Sequence, residues 1–138
     1  MDTLSAALRS ERMARVRGKD TKPELTVRRM LHASGFRYRL HRSDLPGGPD
    51  ICLPNFKSII FVHGCFWHRH PSRDCRLARM PKSRQEFLAA KFASNVVRDA
   101  RDQERLLVMG WNVLVVWECE LRHPGDVVAR LKKALSRE

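Results

Sequence analysis

Apolar and polar residues alternate along this chain with two periods, one typical of helices and one typical of strands. A helical period covers residues 10–16, with Met13 and Val16 on one side and arginines on the other. A second helix is expected to begin at Thr21, which is followed three residues later by a glutamate in a capping box. Gly35 is a suitable end for it. The chain therefore opens with two predicted helices.

Three short segments with the character of β-strands follow. Residues 36–40 alternate apolar and basic side chains, as a half-exposed strand does. A Pro-Gly-Gly-Pro turn then leads to Asp50 and to a strand at 51–53, and an isoleucine-rich strand at 58–62 should be central in the sheet. Residues 63–81 show no apolar period, and a loop of this length in a compact domain needs a function or an internal staple.

A long helix, a strand and a last helix complete the pattern. Ser83 and Glu86 predict a second capping box, which opens a helical region that runs to about Met109. Residues 111–117 are nearly all apolar, which predicts a strand buried on both faces, and Pro124 opens a final helix. The order α-α-β-β-β-α-β-α predicts one α/β domain over the whole chain, with helices on both faces of the sheet. The apolar residues expected on the inner face of the long helix are Val96, Val97, Leu106 and Leu107.

Composition and charge narrow the functional class. The 138 residues are 43% hydrophobic, which suffices for one core, and no apolar run is long enough to span a bilayer. The N-terminal residues lack the apolar block of a secretory signal, so we expect a soluble cytoplasmic protein. The net charge is +12, from 27 Lys+Arg against 15 Asp+Glu, and is spread along the chain. This distribution favours a face that binds nucleic acid, the alternative being a basic surface that only increases solubility.

Reactive residues cluster just after the third predicted strand. His63 and His68 lie there, and Asp50 precedes the neighbouring strand. Adjacent strands would bring the carboxylate and the imidazoles together, so that Asp50 could bind Mg²⁺ with a backbone carbonyl near Val62. Each residue alone is more often an ordinary turn aspartate or a surface histidine, and Glu24 has either a capping role or a place facing the site. The combination favours hydrolysis of a phosphodiester.

Cysteine spacing predicts a second site in the same loop. Cys65, His70 and Cys75 form a C-x4-H-x4-C cluster, and Cys119 lies at the end of the last strand. Together they can close a tetrahedral zinc site that would attach the loop to that strand. A disulfide framework is not expected in a reducing cytoplasm. The alternative is that Cys65 and Cys119 are small buried thiols, which is the interpretation we give to Cys52.

Two adjacent aromatic residues, Phe66 and Trp67, stand between the candidate histidines. They are difficult to bury together on a polar loop, so we predict that they insert between base pairs, as apolar side chains of DNA-distorting proteins do. Trp111 and Trp117, in the last strand, are expected in the core.

With these residues in place, the chain resembles the very short patch repair endonucleases, which nick DNA beside T:G mismatches. The resemblance runs from about Ser10 to Arg122 and implies a restriction-endonuclease-like fold with a central mixed sheet. It also implies a nick 5′ to the thymine of mismatches that arise when 5-methylcytosine is deaminated. A T:G wobble pair costs less to unstack than a matched pair, which suits an aromatic wedge. The blocks that carry the resemblance are Leu45–Asp50, Val62–His68, Asn95–Asp99, and Gly110–Trp111 with Val116–Cys119.

The resemblance also implies roles for individual residues. The catalytic set is Asp50, His63, His68 and Glu24, with Mg²⁺ at Asp50 and structural Zn²⁺ at Cys65, His70, Cys75 and Cys119. The predicted DNA contacts are Met13, within an N-terminal DNA-contacting segment at 1–20, and Phe66, Trp67, Lys91 and Asn95. The implied partners are double-stranded DNA with a T:G mismatch and the mismatch-repair protein MutL, and the implied state is a bacterial monomer.

Two alternative functions stay open at this point. One is a restriction-like nuclease of the same fold without mismatch preference. The other is a zinc-containing DNA-binding module without catalytic activity. The first alternative is tested by comparing the nicking of matched and mismatched duplexes. The second is tested by substituting Asp50 and measuring both nicking and DNA binding.

Overall fold

The fold is described from a computed structural model, which covers residues 21–72, 75–80 and 82–136. The predicted helix at 10–16, the predicted DNA-contacting segment 1–20 and Met13 lie outside these residues. From the second predicted helix onward, the observed order of elements agrees with the prediction. The elements are helices α1 (Lys22–Ala33), α2 (Gln85–Val108) and α3 (Pro124–Ala134), and strands β1 (Arg39–Leu40), β2 (Ile51–Leu53), β3 (Ser58–His63) and β4 (Asn112–Trp117).

The four strands form one mixed sheet in the order β1-β2-β3-β4. β2 is antiparallel to both β1 and β3, whereas β3 and β4 are parallel. The parallel pair needs a crossover connection, which contains α2, and it runs in register from Ser58 and Asn112 to His63 and Trp117. β3 is therefore interior, as predicted. His63 and Trp117 lie side by side where β3 and β4 end.

Helices cover both faces of the sheet, as predicted. Residues of α1 and α3 pack on one face, where Val27, Leu31 and Leu131 are buried against Ile60. On the other face Leu106 of α2 is buried with residues of β2 and β3. Among the residues that the structure describes, no helix combines the length and apolar character needed to cross a membrane.

The start of α1 is set by the predicted cap, but only half of the capping box forms. The Thr21 hydroxyl accepts a hydrogen bond from the Glu24 N–H at 3.4 Å, and Gly35 follows the helix with φ +85°. The Glu24 carboxylate does not return to the cap: it turns toward Arg28 and His41. This side chain therefore belongs to the site rather than to the helix end.

The predicted capping box at the start of α2 is wrong. The N-cap is Arg84, in the left-handed conformation at φ 58°, and no side chain caps the helix there. A helix with a left-handed residue at its N-cap does not present the extended backbone on which a Ser83–Glu86 box depends.

The predicted inner face of α2 is also wrong, apart from Leu106. The buried side of the helix carries Phe92, Asn95, Asp102 and Leu106. Two of these residues are polar because this side faces a cleft as well as the sheet. The apolar residues that face solvent instead are Val96, Val97, Leu107 and Val108.

Two strand predictions need correction. β4 is an edge strand rather than a fully buried one, because no strand within the described residues pairs with its outer side, and Val116 is its one buried residue. The strand expected at 36–40 is reduced to Arg39–Leu40, both exposed, because β2 offers it only two partners. Trp111 is in the core as expected, whereas Trp117 is half-buried beside His63 and His70.

Candidate active site and metal centre

A cleft of about 850 Å³ lies where the N-terminus of α1 meets the ends of β2 and β3 and the middle of α2. It contains the predicted catalytic residues together with both loop aromatics. The lining includes Glu24, Asp50, His63, Phe66, Trp67, His68 and Asp99.

Asp50 is positioned by the glycine turn that precedes it. Gly47 has φ +78°, and a Cβ there would lie 3.1 Å from the Asp102 Cβ and 3.3 Å from the Phe61 ring. A larger residue would therefore push the turn away from α2. The Asp50 Oδ2 atom accepts a hydrogen bond from the Val62 N–H at 2.9 Å. Burial raises the pKa of Asp50 to about 6, and the negative charge of Glu24 acts in the same direction.

Two residues near Asp50 were not selected in the sequence analysis: His41, which lines the cleft, and Arg28, which contacts both His41 and Glu24. The Arg28 Nη2 group donates to the Glu24 Oε1 atom and lies 2.9 Å from the His41 Nε2 atom. His41 Nε2 is itself 3.1 Å from Glu24 Oε1. The main chain of His41 is left-handed, at φ 50°, and its N–H donates to the Asp50 carbonyl at 3.2 Å. Ligand atoms of Glu24, His41 and Asp50 lie within 4.8 Å of one another.

The two predicted catalytic histidines lie face to face. Their ring centroids are 3.9 Å apart and their planes differ by 5°. His63 is 4% exposed, and burial, with the nearby His68, lowers its pKa to about 4. Its Nδ1 atom is buried and has no hydrogen-bond partner among the residues that the structure describes. His63 is therefore neutral at pH 7, and a neutral imidazole carries one nitrogen that can accept a proton.

Asp99 orients His68 and is a further site residue that the sequence analysis missed. The His68 Nδ1 atom lies 2.6 Å from the Asp99 Oδ2 atom. A carboxylate at this distance fixes the orientation of the ring. Asp99 lies in the block 95–99, one helical turn after Asn95. That spacing from another residue expected at the site was the available signal.

Asn95, a predicted DNA contact, holds the loop to α2. It is 4% exposed, and its Nδ2 group donates to the Trp67 carbonyl at 3.1 Å. Its Oδ1 atom accepts a hydrogen bond from Arg98 at 2.8 Å. Because both ends of the amide are engaged, any effect of Asn95 on DNA would act through the position of Trp67.

The two loop aromatics pack against a third ring on α2. The Phe66 and Phe92 centroids are 5.0 Å apart and perpendicular, and Trp67 meets both rings edge to face. The Arg69 guanidinium lies 4.4 Å from the centre of the Phe92 ring. Phe66 and Trp67 are half-buried and line the cleft. Lys91 is half-buried on the same helix, and its contact with DNA stays a prediction.

The predicted zinc ligands converge on one point outside the cleft. One ligand atom from each of Cys65, His70, Cys75 and Cys119 lies within 4.8 Å of the others. The Cys119 N–H donates to the Cys65 Sγ at 3.4 Å, and the Cys119 Sγ lies 3.3 Å from the His70 Nδ1. Burial raises the pKa of the Cys65 thiol well above its ordinary value, an effect that a bound dication would reverse. Three sulfurs and one imidazole are a donor set that fits Zn²⁺.

Trp117 lies between this cysteine cluster and the cleft. The His70 ring stacks on it, with centroids 4.5 Å apart and planes 17° apart. Its edge meets the His63 ring at 5.2 Å. Cys52 is fully buried in β2 and outside the cluster, as expected.

Comparison with known proteins identifies the family. A family model described as "DNA mismatch endonuclease Vsr" matches residues 1–76. The DNA mismatch endonuclease Vsr of Escherichia coli is 41% identical to the chain over 121 residues, which cover 88% of this chain and 76% of that protein. The chain belongs to the Vsr family of endonucleases.

Other relatives of this chain are named as nicking enzymes. The type II nicking enzyme V.XorIIP of Xanthomonas oryzae pv. oryzae is 48% identical over 134 residues, which cover 97% of this chain and 96% of that protein. V.NmeAIP of Neisseria meningitidis is 39% identical over 132 residues, which cover 96% and 92%.

A solved structure supports the fold. The catalytic domain of the homing endonuclease I-Bth0305I matches with a TM-score of 0.56 and 22% identity, covering 83% of this chain and 94% of that chain. The predicted resemblance and the nuclease fold are thus confirmed. The protein is a Vsr-type DNA endonuclease, and its partner is DNA.

Proposed function

We propose that this endonuclease nicks double-stranded DNA 5′ to the thymine of T:G mismatches left by deamination of 5-methylcytosine, and so initiates very short patch repair. The observation that carries the proposal is the convergence of Asp50, His63 and His68 in one cleft, beside Phe66 and Trp67. The relatives named for mismatch cleavage and for nicking support it.

Proton transfer is assigned to the two histidines according to their surroundings. His63 is neutral at pH 7 because burial lowers its pKa to about 4, so it suits the acceptance of a proton from the attacking water. His68 contacts Asp99 at 2.6 Å, and this carboxylate orients the ring for the role of proton donor to the leaving oxygen. Because the two rings are stacked, the proton acceptor and the proton donor lie close enough to act on the same bound substrate.

The catalytic metal is proposed at Asp50. Its Oδ2 atom is held by the Val62 N–H, so Oδ1 is the oxygen available for an ion, and the open cleft has room for water and phosphate oxygens. A hard oxygen donor of this kind fits Mg²⁺. When bound, the ion would stabilise negative charge on the phosphate. A structural Zn²⁺ is proposed at the cysteine cluster, whose donors fit it.

Mismatch preference is proposed to come from the aromatic pair. Phe66 and Trp67 line the cleft on a loop whose backbone Asn95 anchors to α2, so an inserting ring would push against a rigid support. The net charge of +12 supplies affinity that is independent of sequence. Monomeric state, cytoplasmic location and association with MutL stay predictions from the family resemblance.

A second candidate function is nicking of DNA without mismatch preference, since relatives such as V.XorIIP and V.NmeAIP are named simply as type II nicking enzymes. Strand-labelled duplexes that differ only in T:G against T:A at one position separate the two. We expect Mg²⁺-dependent nicking of the thymine strand in the T:G duplex alone. Equal nicking of both duplexes would reject mismatch repair, and binding without nicking in Mg²⁺ would favour a non-catalytic DNA-binding module.

The role of the aromatic pair is tested in the same assay with Trp67→Ala. We expect a lower ratio of T:G to T:A nicking, by about tenfold, because unstacking at the mismatch loses its wedge. Phe87→Ala is the matched control, since Phe87 is an exposed aromatic at the start of α2 that does not line the cleft. If Phe87→Ala lowers the ratio as much, or Trp67→Ala leaves it unchanged, the wedge assignment is wrong.

A further inference from the structure

Arg28 occupies an unusual position for a cationic side chain. Its Nη2 group contacts a carboxylate oxygen of Glu24 and the Nε2 atom of His41 at the same time. The side chains of Arg28, Glu24 and His41 are only 12%, 2% and 16% exposed. A carboxylate oxygen and an imidazole nitrogen that converge on one positive group are ligands typical of a divalent metal ion.

A metal ion at this place would have a third ligand. Ligand atoms of Glu24, His41 and Asp50 lie within 4.8 Å of one another, which is close enough for one ion to bridge them. The Arg28 guanidinium contacts two of these three ligands, Glu24 and His41. An ion and Arg28 would therefore compete for the same two atoms.

We propose that Arg28 is a fixed cation that takes the place of a metal ion at Glu24 and His41, so that the cleft binds its divalent metal through Asp50 alone. The Nη2 group is a donor with two hydrogens, and both Glu24 Oε1 and His41 Nε2 lie within its reach. Arginine suits this role because it stays charged when buried and presents its donors in a rigid plane. Arg28 is thus a positioning residue, and its effect on catalysis rests on the proposed function.

The experiment counts metal ions on the full-length, zinc-loaded chain without DNA, by the electron paramagnetic resonance of free Mn²⁺ during a titration. For Arg28→Met we expect about one additional Mn²⁺ per chain, because Glu24 and His41 become available as ligands beside Asp50, which already holds the first ion. Arg28→Lys, which retains the charge, should bind as many ions as the wild type. Adding Glu24→Gln to Arg28→Met should remove the additional ion.

Arg29→Met is the matched control. Arg29 is the next residue of α1 and is exposed, so its loss changes the net charge equally without reaching the cleft. It should leave the Mn²⁺ count unchanged. If Arg28→Met binds no more Mn²⁺ than Arg29→Met, the proposal is overturned.

A second arm avoids variants that lack Arg28, in case these fold poorly. In the otherwise unchanged chain, Glu24→Gln should leave the Mn²⁺ count as it is, because Glu24 holds Arg28 and not the ion. A lost Mn²⁺ in this variant would overturn the proposal, since it would make Glu24 a metal ligand. Ion counting without DNA is independent of which duplex is nicked, so failure here is distinguishable from failure of the proposed function.

Discussion

The cleft and the cysteine cluster share one short segment, residues 63–70, yet they are held together differently. In the cleft each ionisable side chain is oriented by another part of the protein: Asp50 by the Val62 N–H, His68 by Asp99, and Glu24 by Arg28. All of these contacts are made between groups of the protein itself, and each one restricts the orientation of a cleft side chain.

The cysteine cluster is arranged around a shared centre instead. Its internal contacts are a backbone N–H to one sulfur and a ring nitrogen to another, and three thiols face one another around a shared centre. Three neighbouring thiols lose protons readily only beside a cation. Loss of metal should therefore unfold the cluster and its loop, whereas loss of a cleft side chain should abolish nicking without unfolding the protein.

Among substitutions in the cleft, Asp50→Asn should have the largest effect. Nicking should fall by about 10³-fold or more, because the metal loses its ligand. Burial raises the pKa of Asp50 from 3.8 to about 6, so the folded state favours the protonated form, and the stability this form contributes is lost as the pH rises through 6. At pH 7 the variant should therefore be more stable than the wild type, by about 2 kcal/mol in the free energy of unfolding.

Urea unfolding at pH 7 and single-turnover nicking measure the two effects of Asp50→Asn. Asp44→Asn is the control, since Asp44 is exposed and pairs only with Arg42 at the surface. A variant that loses stability together with activity would show that Asp50 is a structural residue.

Cys119→Ser should give the largest effect on the cluster side. Zinc content should fall, and the free energy of unfolding should decrease by about 3 kcal/mol, because metal binding and folding are coupled. Elemental analysis and thermal unfolding measure this. Cys52→Ala should change stability without changing zinc, because Cys52 is buried in β2 outside the cluster. Unchanged zinc in Cys119→Ser would remove that residue from the ligand set.

The buried His63 predicts a pH effect of intermediate size. Its pKa is lowered from 6.5 to about 4, so the unfolded chain binds a proton that the folded chain resists, and stability is lost as the pH falls from about 6.5 toward 4. Relative to the wild type, His63→Gln should gain about 2 kcal/mol in the free energy of unfolding when the pH is lowered from 7 to 5. If the two chains keep a constant difference in urea unfolding between these pH values, His63 is not buried as described.

Asp99→Asn should give the smallest of these changes. The amide can still contact His68 but lacks the negative charge of the carboxylate, so kcat should fall by about tenfold with little change in DNA affinity. Single-turnover kinetics and a binding titration check this. The control is Asp126→Asn, an exposed acidic residue at the start of α3, which should leave kcat as it is. A loss of affinity equal to the loss in kcat would contradict a role in proton transfer.

The sequence predicted those features that depend on neighbouring residues or on strand ends. Short spacings account for the cap at Thr21, the turn before Asp50 and the proximity of Cys65, His70 and Cys75. Binding of zinc by these residues stays a prediction. Cys119 and His63 follow from the ends of strands that proved to be parallel neighbours. These predictions needed no knowledge of how α2 is rotated about its axis.

What could not be predicted depends on that rotation and on contacts between distant segments. The apolar pattern of α2 suggested that Val96 and Val97 face inward, whereas the cleft places polar Asn95 and Asp102 there. Arg28 and His41 are thirteen residues apart, and only the docking of α1 beside the turn before β2 brings them to Glu24. Their spacing along the chain carries no signal of this meeting.

The most direct test of the central claim compares two histidines that are two residues apart, His68→Ala and His70→Ala. Nicking, zinc content and the midpoint of thermal unfolding are measured on both. We expect His68→Ala to lose nicking while keeping zinc and thermal stability, and His70→Ala to lose zinc and thermal stability. If both variants lose the same properties to the same extent, the cleft and the cysteine cluster are not separate sites, and the account is wrong.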